Sequence, residues 1–245
     1  MIIRAVADFI MPRICLCCGR ELEAGEEHLC ADCQKDLPLT RYWKLRSNPM
    51  AEHFNALIQR QMGDNPSYVP YGYAAALFFY KSGYRSVTKA LKYKRNFSSG
   101  VFFARMLGRV LAESDLFRSV DLVVPVPLHW TRRWRRGYNQ AEVIAREVAR
   151  VLGVQCDTGM LCRARRTRTQ TKLNPEGRAH NVGGAFRVRK GIDFTGGAHH
   201  ILLIDDVFTT GATAAACEAG IREACSVQAR SSVRVSVATL ACVEH

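Results

Sequence analysis

Residues 201–213 read Ile-Leu-Leu-Ile-Asp-Asp-Val-Phe-Thr-Thr-Gly-Ala-Thr, and no other stretch limits the fold as tightly. Four large apolar residues in a row predict a strand buried on both faces, as in a parallel sheet covered by helices. Asp205 and Asp206 stand where that strand is expected to surface at its carboxyl end. Three threonines and Gly211 follow, and then Ala214-Ala215-Ala216-Cys217-Glu218, a strong helix-forming run. Together these describe a βα unit whose turn lies at the ligand-binding edge of an open α/β sheet. Such a turn offers backbone N–H groups and the positive end of a helix dipole, which suits a phosphate. The acidic pair suits ribose hydroxyls or a hydrated cation. An ordinary buried strand, its helix capped by Thr209 or Thr210, accounts for the threonines. It does not account for two adjacent acids, whose mutual repulsion near a buried strand end needs a ligand to offset it.

The stretch resembles the thirteen-residue phosphoribosyl-pyrophosphate (PRPP) motif of type I phosphoribosyltransferases and fits that pattern at every position. At 245 residues the chain has room for one α/β domain and a small appendage, and 48% hydrophobic content fills a core. No apolar run approaches the ~20 residues that span a bilayer. The first ten residues are apolar but carry Asp8 and no small-residue cleavage site, so a short amphipathic helix is expected there rather than a secretory signal. The formal charge of +13 is clustered: Arg132, Arg133, Arg135 and Arg136 form one group, and Arg163, Arg165, Arg166, Arg168 and Lys172 another. Such a field attracts a polyanion, either nucleic acid or a small molecule such as PRPP.

Five of the ten cysteines crowd into residues 15–33, which points to a reduced, cytoplasmic protein with a metal site rather than a disulfide framework. Cys15, Cys18, Cys30 and Cys33 make two Cys-x-x-Cys knuckles, and Gly19 supplies the tight turn after the first. Four thiolates suit a closed tetrahedral zinc site, with Cys17 surplus and His28 near enough to substitute. Four reduced cysteines, a redox pair and an iron site are the alternatives. Residues 13–36 hold too few apolar side chains to fold alone, so bound metal is expected to contribute folding energy directly.

Further along, Pro38, Pro49, Pro66 and Pro70 punctuate a linker with one short helix from Met50 to Met62. Tyr73–Tyr80 reads as a strand. Gly83–Tyr93 reads as a helix with Val87, Ala90 and Leu91 on one face, and Val101–Ser114 as a second, with Phe102, Met106, Val110 and, as a further candidate, Phe103 inward. The apolar run Asp121–Leu128 must end as a strand at Pro125 and Pro127, which lack ladder donors. A rigid loop therefore begins at the same sheet edge as the acidic pair, followed by arginines, Gly137-Tyr138-Asn139-Gln140 and a helix from Ala141 to Leu152. A solvated basic turn is the plainer reading of that loop. Residues 156–182 are basic and without a period, a connection long enough to be functional or mobile. Phe186 and Val188 restart strand character, and Val233, Val235, Val237 and Leu240 form the last strand.

Taken together, these marks resemble the ComF/GntX family of phosphoribosyltransferase-like competence proteins. They are the four knuckle cysteines, Leu91-Lys92-Tyr93, Val124–Leu128, Arg136–Gln140, Gln170, Leu173, Arg178 and Asn181 before Gly184-Ala185-Phe186, and the PRPP motif. The resemblance implies an α/β type I phosphoribosyltransferase fold, a mostly parallel sheet flanked by helices, with a small N-terminal zinc-binding segment. The expected division is a zinc-binding segment at 1–37, a linker or hood-like segment at 38–72 and a phosphoribosyltransferase domain at 73–245.

By the same resemblance, Asp205 and Asp206 would bind the ribose 2- and 3-hydroxyls, directly or with help from Mg2+, and are the expected catalytic residues. Residues Val207, Phe208, Thr209, Thr210, Gly211, Ala212 and Thr213 complete the ribose and 5-phosphate site. Val126, Pro127 and Leu128 hold pyrophosphate, with Arg136 as the nearest cation. The resemblance further implies that Mg2+, bound with the pyrophosphate, would stabilise the leaving group. Arg168, Gln170 and Lys172 are candidates on a loop that closes over the site. The implied activity is transfer of phosphoribose to an unidentified acceptor with release of pyrophosphate, linked to DNA uptake in natural transformation. The alternatives are a PRPP sensor or adaptor without turnover, and a DNA-associated protein that contacts single-stranded DNA and partners an ATP-driven DNA translocase.

Overall fold

The computed structural model describes residues 13–63, 69–81, 83–93, 97–128, 137–163, 185–189, 200–227 and 233–244. Its frame is a five-stranded sheet. The strands, in chain order, are β1 (Ala74–Phe79), β2 (Leu122–Pro125), β3 (Gln155–Cys156), β6 (His200–Phe208) and β7 (Arg234–Cys242). Their spatial order is β1-β7-β6-β2-β3, and each neighbouring pair is parallel. The apolar run 201–204 lies at the middle of this sheet and is buried on both faces, as its composition demands. β4 (Leu161–Arg163) and β5 (Phe186–Val188) form a separate antiparallel pair. β4 falls within the stretch read as periodless and β3 at its start, since two or three residues are too few to display alternation.

Six helices are described: α1 (Ala31–Lys35), α2 (Pro49–Met62), α3 (Arg85–Tyr93), α4 (Phe97–Ala112), α5 (Gln140–Leu152) and α6 (Ala212–Val227). α4 and α5 cover one face of the sheet, packing on Leu202, Ile204, Val123 and Leu240. α2 and α6 cover the other, packing on Ile201, Leu203, Val124 and Val237. The expected class, a mostly parallel sheet flanked by helices behind a small four-cysteine segment, is the one observed. None of the described helices is long and apolar enough to cross a membrane.

One helix face differs from expectation. α4 starts a turn earlier than Val101 and buries Phe103, Ala104, Leu107 and Leu111, while Phe102, Met106 and Val110 are half-buried beside the same core. Both rows have i, i+4 spacing, so periodicity alone does not choose between them. Burial against the sheet does.

The sheet is irregular at one level. Pairing runs through Ile204–Ala238 and Asp205–Thr239, then resumes at Val207–Ala241, passing over Asp206 and Leu240. On the neighbouring strand it runs through Ala76–Thr239 and resumes at Phe78–Ala241, passing over Leu77. Above this line the side-chain alternation is reversed: Leu77 and Phe78, or Leu240 and Ala241, share one face, and Cys242 and Phe208 join the other. Because all three strands slip together, the register is the same on both sides. β6 consequently continues as paired strand to Phe208, and the two acids lie inside it rather than beyond its end.

At the opposite edge of the sheet, buried His200 opens β6. Its Nδ1 lies 2.8 Å from Ser119 Oγ and its Nε2 2.7 Å from Ser236 Oγ.

Candidate functional site

β6, the turn after it and the start of α6 enclose an open cleft of about 290 Å3, lined by Asp205, residues 207–214, Val237 and Thr239. Strand alternation points Asp205 to the face of Val237 and Thr239, and Asp206 to the opposite face. Asp206 is buried and, among the described residues, is not part of the cleft wall. The Asp206 N–H donates to Oδ1 of Asp205 at 2.8 Å, at the level where the ladder is interrupted. Asp205 also bears on buried Cys217 in the second turn of α6. Burial pushes that thiol well up, Asp205 adds to the effect, and the Arg163 guanidinium opposes it.

Gly211 has φ of +66°, the left-handed region where a side chain is strained, and a Cβ there would meet Phe208 Cζ at 2.5 Å and Leu57 Cδ1 at 3.1 Å. The turn is therefore pressed between β6 and α2. His53 of α2 donates from Nε2 to the Thr210 carbonyl at 3.0 Å, and its ring meets that of Phe208 edge-on at 6.4 Å. Thr209, Thr210, Ala212 and Thr213 are exposed to an incoming ligand, and the first N–H groups of the 16-residue α6 open in the same place. A half-buried carboxylate beside such a turn can hold a hydroxyl-bearing sugar phosphate, and its hard oxygens fit a hydrated Mg2+.

The second loop approaches from β2. Val126 is buried, donates its N–H to Ile204 O at 2.8 Å and accepts from Asn139 Nδ2 at 3.0 Å. Asn139 also caps α5, accepting from Ala141 N at 3.2 Å. One side chain thus fixes the β2 exit and the start of α5 together. Pro127 and Leu128 are half-buried. The Tyr138 hydroxyl donates to the Leu91 carbonyl, and its ring lies 4.6 Å from that of Phe97. Leu91 and Tyr138, members of two motifs far apart in sequence, therefore meet. Arg136, Arg168, Gln170 and Lys172 lie outside the described residues. The antiparallel β4–β5 pair brackets the basic segment 164–184 and packs on α6, with the Phe186 carbonyl against Gly220.

In the N-terminal segment the four sulfurs of Cys15, Cys18, Cys30 and Cys33 lie within 4.8 Å of one another, and Cys18 and Cys30 are 3.8 Å apart. A tetrahedral site with Zn–S near 2.3 Å separates its sulfurs by about 3.8 Å, so the cluster fits a metal of that kind. Burial resists ionisation of Cys15, yet N–H groups of the surrounding backbone outweigh it and bring the thiol down to about 6. Gly19, at φ +76°, makes the expected turn, its N–H bonded to Cys15 O at 2.9 Å. His28, the expected substitute, is not one of the clustered ligands and packs its ring on Phe102 at 5.4 Å. Surplus Cys17 stays at the edge of the cluster, its thiol hydrogen-bonded with Cys33 and set against Gly83. The segment is not free-standing, because Cys15, Leu22, Leu29 and Cys30 belong to the same buried cluster as Phe103, and Tyr84 donates to Cys33 O at 2.8 Å.

His53 and Asn139 were not singled out as site residues from the sequence. Asn139 stands in a recognisable Gly-Tyr-Asn-Gln turn. For His53 the only signal is a polar residue beside the apolar row Met50, Phe54 and Ile58 of α2.

Comparison with known proteins returns relatives over most of the chain. It is 29% identical over 210 residues to competence protein F of Haemophilus influenzae, covering 81% of this chain and 86% of that one. It is 26% identical over 208 residues to the DNA utilization protein YhgH of Escherichia coli K12, covering 84% and 88%. The Salmonella typhi protein of the same name is 33% identical over 141 residues, 55% of this chain and 60% of that one. No protein-family model matches. Among solved structures, the glutamine PRPP amidotransferase of B. subtilis complexed with ADP and GMP is similar, with a TM-score of 0.36 and 21% identity. That likeness covers 55% of this chain and 25% of the amidotransferase. The ComF resemblance read from the motifs therefore extends, at modest identity, to relatives along most of the length.

Proposed function

From its relation to the ComF proteins and from the cleft at the end of β6, we propose that this chain binds PRPP with Mg2+ and transfers its phosphoribose to an acceptor, releasing pyrophosphate. The observation that carries this is the union of a carboxylate, Asp205, and a glycine turn at a helix start in one open cleft. Asp205 takes the ribose hydroxyls. Asp206 adds a second negative charge from the far side of the strand, and the developing positive charge on the ribose ring is stabilised by both. Residues 207–213 cradle the 5-phosphate through backbone N–H groups and threonine hydroxyls.

Val126, Pro127 and Leu128, with Arg136, receive the pyrophosphate, and Asn139 keeps that loop in place through the Val126 carbonyl. Bound Mg2+ supplies charge neutralisation at the leaving pyrophosphate oxygens. Arg168, Gln170 and Lys172, in the segment between β4 and β5 and outside the described residues, are the candidate groups for keeping water from the reacting carbon. The four-cysteine segment holds a structural zinc through Cys15, Cys18, Cys30 and Cys33. We further assign residues 1–37 to that segment, 38–72 to a hood-like linker and 73–245 to the transferase domain, and place the protein in the cytoplasm.

In the cell this activity, or PRPP binding without turnover, serves the use of external DNA, as the names of the relatives suggest. The charge of +13 supports contact with single-stranded DNA as a second role, and the ComF resemblance adds a DNA-translocating ATPase as partner. Calorimetry with PRPP and Mg2+ tests binding, and absence of Mg2+-dependent heat removes the proposal. Incubation with PRPP and candidate bases or single-stranded DNA, read as pyrophosphate and mass-shifted product, separates a transferase from a sensor.

A further inference from the structure

We propose that His53, on α2, is a positioning residue that sets the anion-binding direction of the 209–213 turn. This rests on the reading of that turn as the 5-phosphate cradle and names a residue from outside the motif that controls it. The Thr210 carbonyl accepts the His53 Nε2–H at 3.0 Å. No cis peptide bond is present among the described residues, and in a planar trans peptide the C=O of residue 210 and the N–H of residue 211 point in opposite directions. Tying that carbonyl toward α2 therefore aims the Gly211 N–H away from α2. The cleft is lined by residues 207–214, Gly211 among them, and neither His53 nor Leu57 is among its described lining residues.

α2 is a firm anchor for such a contact. Asn48 caps it by accepting from Ala51 N at 3.0 Å and also donates to Ala74 O at 3.0 Å, at the start of β1. Asn55 grips Gly72 in both directions, donating to its carbonyl at 2.8 Å and accepting from its N–H at 2.9 Å. Leu57 meets the turn at Gly211, one helical turn along from His53. A flexible Gly-containing turn without this bond samples other orientations of the 210–211 peptide, and only one presents the N–H to a phosphate.

The test is calorimetric titration of wild type, His53→Phe and His53→Gln with PRPP, ribose 5-phosphate and inorganic pyrophosphate, each with Mg2+. Phe keeps a ring against Phe208 and removes the donor, while the Gln amide can reach the same carbonyl. Loss of one positioning hydrogen bond is expected to weaken PRPP and ribose 5-phosphate by the same factor, about fivefold to tenfold in His53→Phe. Pyrophosphate affinity is expected to stay unchanged, which also reports an intact fold, and His53→Gln is expected to recover most of the loss. Wild-type affinity for all three ligands in His53→Phe overturns the inference alone. So does an equal loss for all three, or a Gln variant no better than Phe. Failure of the wild type to bind PRPP overturns the proposed function along with it.

Discussion

The backbone N–H of Asp206 donates to the side chain of Asp205 at 2.8 Å, so the carboxylate that lines the cleft also fastens the strand at the point where its pairing is interrupted. The two duties separate by substitution. Asp205→Asn keeps an oxygen acceptor and loses the charge, whereas Asp205→Ala loses both. Asn is expected to leave the urea midpoint close to wild type while weakening Mg2+-PRPP binding by about 10- to 100-fold. Ala is expected to match that binding loss and to destabilise the fold by a further ~1 kcal/mol. Asp206→Asn, on the far face, is expected to cost less affinity than Asp205→Asn. Equal binding in the Asp205 variants and wild type, measured by calorimetry, contradicts the assignment.

Gly211 admits no side chain for two independent reasons, its φ of +66° and its packing against Phe208 and Leu57. Gly211→Ala is expected to lose roughly 2–4 kcal/mol from strain and overpacking together. It is expected to lose PRPP binding at the same time, since the turn must open to admit the methyl group. Chemical denaturation followed by calorimetry reads both. An unchanged midpoint refutes the packing account.

Metal removal is expected to act on the whole chain. Cys15 and Cys30 share a buried cluster with Phe103 and Leu107 of α4, so the four-cysteine segment has no separate core to lose. A strong chelator, or Cys30→Ser, is expected to lower the main unfolding temperature in a single transition and abolish one equivalent of bound zinc. Elemental analysis and scanning calorimetry check this. A separate early transition, with the main one unmoved, means that the segment is independent.

His200 should make stability depend on pH. Burial, with Arg234 adding, pushes its imidazole down to about 4 from a usual value near 6.5. The unfolded chain therefore takes up a proton below about pH 6.5 that the folded chain refuses until about pH 4. Stability contributed by neutral His200 is complete above 6.5 and is lost as pH falls through that window, by on the order of 3 kcal/mol at most. His200→Gln is expected to be less stable at pH 7 but to have a shallower loss between pH 7 and 5. Parallel pH curves for the two proteins, from urea midpoints, exclude this role.

Much of the architecture was legible because it is written in local chemistry. The apolar run 201–204, the prolines at 125 and 127 and the knuckle cysteines each constrain structure within a few residues, and the observed strands and turns follow them. What was not legible depends on partners distant in sequence. The inward row of α4 is chosen by the sheet beneath it, and the burial of Asp206 by a slip shared across three strands. His53 meets Thr210 across 157 positions of chain, and nothing in a residue's own neighbourhood announces such a contact. Asn139 lies between these cases: its capping role follows from its place before α5, whereas its grip on Val126 requires the fold.

Leu77, Asp206 and Leu240 lie along one line across the sheet, just beneath its carboxyl edge. Such a line works as a crease. The rim above it carries the cleft and its turn and is joined to the sheet below by fewer ladder pairs. The cleft is thereby built on a side-chain pattern reversed from the one that packs Ile201, Leu202, Leu203 and Ile204 below.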